Sequence, residues 1–169
     1  MTFPSRSTLQ LAAALALLGG TIHPHEGAAQ DGSAAFQLGV AHFDVDGPAP
    51  AAALEVAFQG AEPVLWRLRP QVGGMVNGDG GAYGYLGLAL PWNIGGPVHL
   101  TPSFGAGGYR IGDSLDLGSR LEFRSGVRLA VEVADGHRVG LFLYHLSNAS
   151  LGDHNPGTEV LGVGYSSGR

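Results

Sequence analysis

From Ala35 onward the chain alternates apolar and polar side chains with a period of two, the repeat that sends successive residues to opposite faces of a β-strand. Phe36, Leu38 and Val40 share one face, with Gln37, Gly39 and Ala41 on the other. Leu54, Val56 and Phe58 alternate with Glu55, Ala57 and Gln59, and Trp66, Leu68 and Val72 with Arg67, Arg69 and Gln71. The clearest run sets Leu121, Phe123, Val127, Leu129, Val131 and Val133 against Arg120, Glu122, Arg124, Gly126, Arg128, Ala130 and Glu132. One face of such a segment is hydrocarbon and the other ionic, so the fold must give each a different surrounding.

The pattern predicts eight strands, near residues 34–43, 52–59, 63–72, 82–92, 97–109, 120–133, 137–147 and 158–168. Several are longer than the roughly five to six residues usual in soluble sheets, and about ten residues is what a tilted strand needs to cross a bilayer. The joints near 60–62, 93–96 and 134–136 are short, whereas those near 44–51, 73–81, 110–119 and 148–157 are longer. An even strand count with alternating short and long connections is the outer-membrane barrel pattern. At Ala134-Asp135-Gly136, a loop with Gly136 in the left-handed bulge position keeps like faces together by pairing Val133 with His137 and Val131 with Val139.

Composition narrows the choice. Of 169 residues only 14% are charged, against about 25% in an average soluble protein, and the length fits one domain. A helical membrane bundle would need apolar runs of roughly 20 residues. Beyond the N-terminus the longest stretch, Tyr83 to Trp92, is interrupted by Gly84, Gly87 and Pro91. A formal charge of −5 without a basic cluster argues against a nucleic-acid binder. The absence of cysteine excludes disulfides, zinc-thiolate sites and thiol catalysis. Arg6, the apolar core Leu9 to Leu18 and the small residues Gly27-Ala28-Ala29 stand in the order of a secretory signal peptide. Residues 1–29 are expected to be that leader and 30–169 the barrel, so His23, His25 and Glu26 receive no role.

Alternation alone does not say which face lies inside, and a soluble β-sandwich or lipocalin-like barrel would turn the apolar face inward. The polar rows hold Glu55, Arg67, Arg69, Arg120, Glu122, Arg124, Arg128 and Glu132, charges of both signs able to neutralise one another within a barrel. Trp66, Trp92 and Tyr165 are expected at one rim, and Tyr83 and Tyr85 near the other, as interfacial girdles. Taken with export, the reading is an all-β, eight-stranded antiparallel outer-membrane β-barrel with a filled polar interior. At that size side chains fill the barrel, which excludes a wide pore.

Two predicted strands carry chemistry on the apolar row. Val139, Leu141, Leu143, His145 and Ser147 share a face of the seventh, and Glu159, Leu161, Val163 and Tyr165 a face of the eighth. His145 and Ser147, two residues apart, have Cα atoms about 6.6 Å apart on one side. A connection centred on Gly152 sets Glu159 opposite His145, with Cβ atoms about 5 Å apart. Ser147 as nucleophile, His145 as general base and Glu159 as the group that orients the imidazolium form the constellation of a serine-hydrolase triad. Asn148, through its backbone N–H or its amide, and Asn155 or Gly157 are the candidate oxyanion donors. The alternative for His-x-Ser at a strand end is a hydrogen-bonded rim pair without catalysis. His42, His99 and His154 lack such partners and read as rim, lumen and loop residues.

The stretch Tyr144-His145-Leu146-Ser147-Asn148-Ala149, followed by Asn155-Pro156-Gly157 and by Glu159 before Gly162-Val163-Gly164-Tyr165, resembles the lipid A 3-O-deacylase family, PagL. The match covers the C-terminal part of the chain, with the rest similar in length and strand pattern. The resemblance implies an eight-stranded outer-membrane barrel with a His, Ser, Glu site on its outer surface. It puts the base on His145, the nucleophile on Ser147 and the acid on Glu159, with Asn148 and Asn155 near the oxyanion site. It implies lipopolysaccharide as substrate and release of a 3-hydroxy fatty acid. Where such barrels usually end on an aromatic residue, Ser166-Ser167-Gly168-Arg169 follow Tyr165 here.

With a periplasmic N-terminus the seventh strand rises outward, so the three residues are expected at the outer leaflet. No residues show metal-ligand spacing and no cofactor is implied; a homodimer is compatible with the sequence. Two competing functions remain open. One is a non-catalytic small barrel of the OmpA or OmpX type, serving as scaffold or adhesin, and the other an outer-membrane phospholipase or acyltransferase.

Overall fold

The structure is a computed structural model and describes residues 33–168; the expected leader lies outside the described residues. The strands are β1 (Ala35–Phe43), β2 (Ala51–Gln59), β3 (Arg69–Asn77), β4 (Ala82–Ala89), β5 (Trp92–Gly95), β6 (Val98–Arg110), β7 (Leu121–Ala134), β8 (His137–Ser147) and β9 (Thr158–Gly168). All pairings are antiparallel, and β1 pairs with β9 while β4 pairs with β6. Those two pairings close the sheet into an eight-stranded barrel. The short β5 follows β4 past Leu90-Pro91 and pairs with the start of β6, where proline interrupts the ladder for want of an N–H.

The apolar face is the exterior. Leu86 is 71% exposed, Val40 55% and Leu141 54%, while Glu55, Glu122 and Arg124 inside are at most 4% exposed. The soluble alternatives would require the reverse. A closed barrel leaves no strand edge unpaired, and an apolar outer surface of this kind is stable in hydrocarbon rather than water. In the lumen, Arg124 and Arg128 approach Glu55 Oε1 at 3.6 and 3.8 Å. The Arg124 guanidinium also lies 4.0 Å from the centre of the Tyr144 ring, so cations, carboxylate and aromatic faces fill the interior.

The third strand departs from expectation. It begins at Arg69, not near 63, and runs through Gly73 and Gly74 to Asn77. Residues preceding it turn instead: Leu68 N donates to the Leu65 carbonyl, and Trp66 has φ 51°. Arg67 therefore sits outside the lumen row, the connection at that end is longer than foreseen, and the one at 78–81 is shorter. The two glycines look like loop residues but serve a close approach within the sheet. A Cβ on Gly73 would stand 2.7 Å from the Tyr85 ring.

Tyr83 and Tyr85 are a second correction. They belong to the lumen, 3% and 5% exposed, because the parity of β4 gives the exterior to Gly84 and Leu86. Tyr83 donates its hydroxyl to the Glu122 carbonyl at 3.0 Å. Arg120, expected in the polar row, is exposed just before β7. At the β7–β8 hairpin the bulge is present, with Gly136 at φ 70° and Val131 opposite Val139. His137 faces Ala134, however, leaving Val133 rather than Ala134 as the extra residue.

Candidate active site

Everything that positions the candidate residues is at the end of the barrel where β8 leaves and β9 enters. Leu146 is fully buried and points inward, so its neighbours His145 and Ser147 point outward. The ladder ends with His145 opposite Glu159 and Leu146 opposite Thr158. Thr158 turns inward and donates its hydroxyl to Asp44 Oδ1 at 2.9 Å. Val45 N donates to the Glu159 carbonyl at 3.2 Å. Side chain and backbone of the β1–β2 connection thus clamp the first residues of β9, and with them the Glu159 carboxylate.

His145 Nδ1 and Glu159 Oε1 are 3.1 Å apart, with the two side chains 28% and 30% exposed. A carboxylate at Nδ1 favours the tautomer with its proton there, which leaves the Nε2 lone pair free to accept a proton. The ring is seated on Gly157. A Cβ at that position would stand 2.6 Å from Cε1 and 3.0 Å from Nε2, and Gly157 has φ 67°. Both the space and the left-handed backbone call for glycine. Ser147 extends β8 one residue beyond the Leu146–Thr158 pair, on the same outward face as His145. Its hydroxyl has no hydrogen-bond partner among the described residues; catalytic contacts of this type commonly close only on a bound substrate.

Asn148 has a different part from the expected donor. Its side chain is fully buried, and Nδ2 donates to the Leu117 and His154 carbonyls, each at 2.7 Å. Its backbone N–H donates to Asn155 Oδ1 at 3.1 Å. Both donors are consumed in tying the 111–120 and 148–157 connections together beside Ser147. The same bond orients the Asn155 amide, whose Nδ2 remains the donor end. Leu117 plugs the lumen here with Phe43, Tyr144, Leu146 and Val160. Directly after Asn148, Ala149 and Ser150 both have positive φ, 53° and 63°, in a turn closed by Leu151 N to Asn148 O at 3.0 Å. Two non-glycine residues in that region store strain, held by the Asn148 bonds.

The register also brings in a residue that the sequence reading passed over. Ser125 on β7 is the Cα partner of His145, as Phe123 is of Ser147. Ser125 interrupts the otherwise apolar outward row of β7, and that break was its signal; only the strand register shows which residue it faces. His42, His99 and His154 fall where expected. His42 is exposed on β1, His99 Nε2 lies 3.5 Å from Glu132 in the lumen, and His154 is in the 148–157 connection near Asp116.

A closed eight-stranded barrel with an apolar exterior and an ionic, filled interior defines a transmembrane β-barrel, one that carries an acid–base pair on its outward face. The family described as lipid A 3-O-deacylase (PagL) matches residues 51–167, and the chain belongs to that family. Among solved structures, the crystal structure of the outer membrane enzyme PagL is similar over 78% of this chain and 98% of that one, with TM-score 0.60 and 19% identity. A structure from de novo design of transmembrane β-barrels is similar over 82% and 96%, with TM-score 0.53 and 15% identity. At these identities the likeness is one of fold. No curated protein matches. Family and barrel together make this an outer-membrane protein.

Proposed function

We propose that the protein is an outer-membrane esterase that removes the 3-O-linked acyl chain of lipid A, with Ser147, His145 and Glu159 as its triad on the lipid-facing surface. The observation that carries this reading is the 3.1 Å contact between His145 Nδ1 and Glu159 Oε1 on the exterior, where a barrel with a purely structural surface has apolar side chains. The Ser147 hydroxyl attacks the ester carbonyl while His145 Nε2 takes its proton, and Glu159 stabilises the resulting imidazolium. The tetrahedral oxyanion is met by Asn155 Nδ2 and the Gly157 N–H, with Asn148 holding Asn155 in place. Collapse breaks the ester bond; His145 returns the proton to the departing sugar oxygen, and the acyl group stays on Ser147. Water, deprotonated by His145, then attacks the acyl-enzyme and releases the 3-hydroxy fatty acid. An outward triad meets an ester of an outer-leaflet lipid without a cavity in the filled lumen.

A lipophilic fluorophosphonate tests the nucleophile. The wild-type barrel in detergent is expected to gain one covalent adduct on Ser147, and His145→Ala to lose the labelling while still folding. Labelling elsewhere, or none on a folded wild-type barrel, would refute the assignment.

A further inference from the structure

We propose that Ser125 is a specificity-determining residue that hydrogen-bonds the 3-hydroxyl of the acyl chain being cleaved. The inference rests on the triad proposed above and names a feature of its substrate. The β9 flank of Ser147 is occupied by the His145 ring, Gly157 and the Glu159 carboxylate. The acyl chain therefore leaves the reacting carbonyl over the β7 flank, where Phe123 lies opposite Ser147 and Ser125 opposite His145. Phe123 stacks on Phe104 with ring centres 6.2 Å apart, and Phe104 is 57% exposed. These rings form an apolar floor beside the nucleophile suited to methylene groups.

The outward row of β7 runs Leu121, Phe123, Ser125, Val127, Leu129, Val131, Val133. Ser125 is its single hydroxyl, and that hydroxyl has no hydrogen-bond partner among the described residues. A polar group facing hydrocarbon without a partner is unfavourable, so a ligand oxygen at this point gains the whole bond. As a diagonal neighbour across the strand pair, Ser125 is about 7–8 Å from Ser147, within reach of side chains and a bridging ligand. In a 3-hydroxyacyl ester the hydroxyl is borne two carbons from the carbonyl carbon. A chain whose carbonyl sits at Ser147 and whose methylenes lie on Phe123 carries that hydroxyl past Ser125, which can donate to it or accept from it. A chain without the hydroxyl leaves Ser125 unpaired.

The test compares two activated esters of equal chain length, one 3-hydroxyacyl and one unsubstituted, hydrolysed by the refolded barrel in micelles. The wild type is expected to favour the hydroxylated ester in kcat/KM by about five- to tenfold, the size of one hydrogen bond. Ser125→Ala should lose that preference by slowing only the hydroxylated ester, and Ser125→Thr, which keeps a hydroxyl, should retain it. Equal effects of Ser125→Ala on both esters, or no effect on either, overturn the proposal. Should Ser125→Ala fail to fold, Ser125→Cys carries the same comparison. Failure of the triad itself reads differently, as a Ser147→Ala variant that still hydrolyses both esters.

Discussion

His145 on β8 and Glu159 on β9 face each other across a single strand pair, and their side chains meet at 3.1 Å on the outside of the barrel. The pair needs no long-range folding event beyond one β-connection, yet its geometry is braced from three sides. Asp44 holds Thr158, Val45 holds the Glu159 backbone, and Gly157 provides the surface on which the imidazole rests.

Replacing the carboxylate while keeping its shape tests what the pair does. Glu159→Gln is expected to lower kcat for ester hydrolysis by up to about 10⁴-fold, the loss seen when the orienting acid of a triad becomes an amide, with KM little changed. Heat-modifiable mobility in electrophoresis should report an intact barrel. A folded Glu159→Gln variant with wild-type kcat would remove Glu159 from the triad.

Gly157→Ala separates the seat of the imidazole from its chemistry. The new methyl group would enter the space of His145 Cε1 and hold a left-handed backbone, a strain of about 1–2 kcal/mol. Because misplacement by about 1 Å can cost 10²-fold in rate, activity is expected to fall at least tenfold in a barrel that remains folded. Unchanged rates would show that the ring does not depend on this contact.

How much of this was legible in the sequence depends on where each constraint originates. The bounds of β8 and β9, and the facing of His145 and Glu159, follow from a strong period of two and a connection pivoting on Gly152, both local. The same logic failed at β3, where Gly73 and Gly74 look like loop residues until the Tyr85 ring is seen packed on Gly73 and the β4 backbone close beside Gly74. Tyr83 and Tyr85 were misplaced because an aromatic residue suits a rim and a lumen alike, and only strand parity decides. Asn148 is a donor by residue type, but its partners Leu117 and His154 come from loops whose meeting no spacing rule foresees. Ser125 was visible as a break in an apolar row without a reason until the β7–β8 register supplied His145.

Asn148→Ala is expected to act through the loops. It strands the Leu117 and His154 carbonyls but leaves Asn155 Oδ1 its bond, since the donor there is the Asn148 backbone N–H. The buried Leu117 carbonyl left unsatisfied costs about 1–3 kcal/mol, and the half-exposed His154 carbonyl less. Limited proteolysis should cut the 111–120 and 148–157 connections faster than in the wild type, with the barrel strands still protected. Equal cleavage rates would mean that Asn148 does not join these loops.

Glu55→Gln addresses the lumen. It leaves the Arg124 and Arg128 guanidinium groups without the carboxylate they share, and breaking a buried ion pair from one side costs about 3–5 kcal/mol. Denaturant unfolding in micelles should shift to lower concentration, while the folded fraction hydrolyses ester at the wild-type rate. A shifted rate with unshifted stability would place Glu55 in the chemistry instead.

Whether Ser147 deacylates lipid A is tested most directly by the mass of lipid A from cells producing the wild-type barrel or Ser147→Ala at equal levels in the outer membrane. Lipid A should lose one 3-hydroxyacyl chain with the wild type and stay intact with Ser147→Ala. Identical spectra from two correctly folded barrels would contradict it.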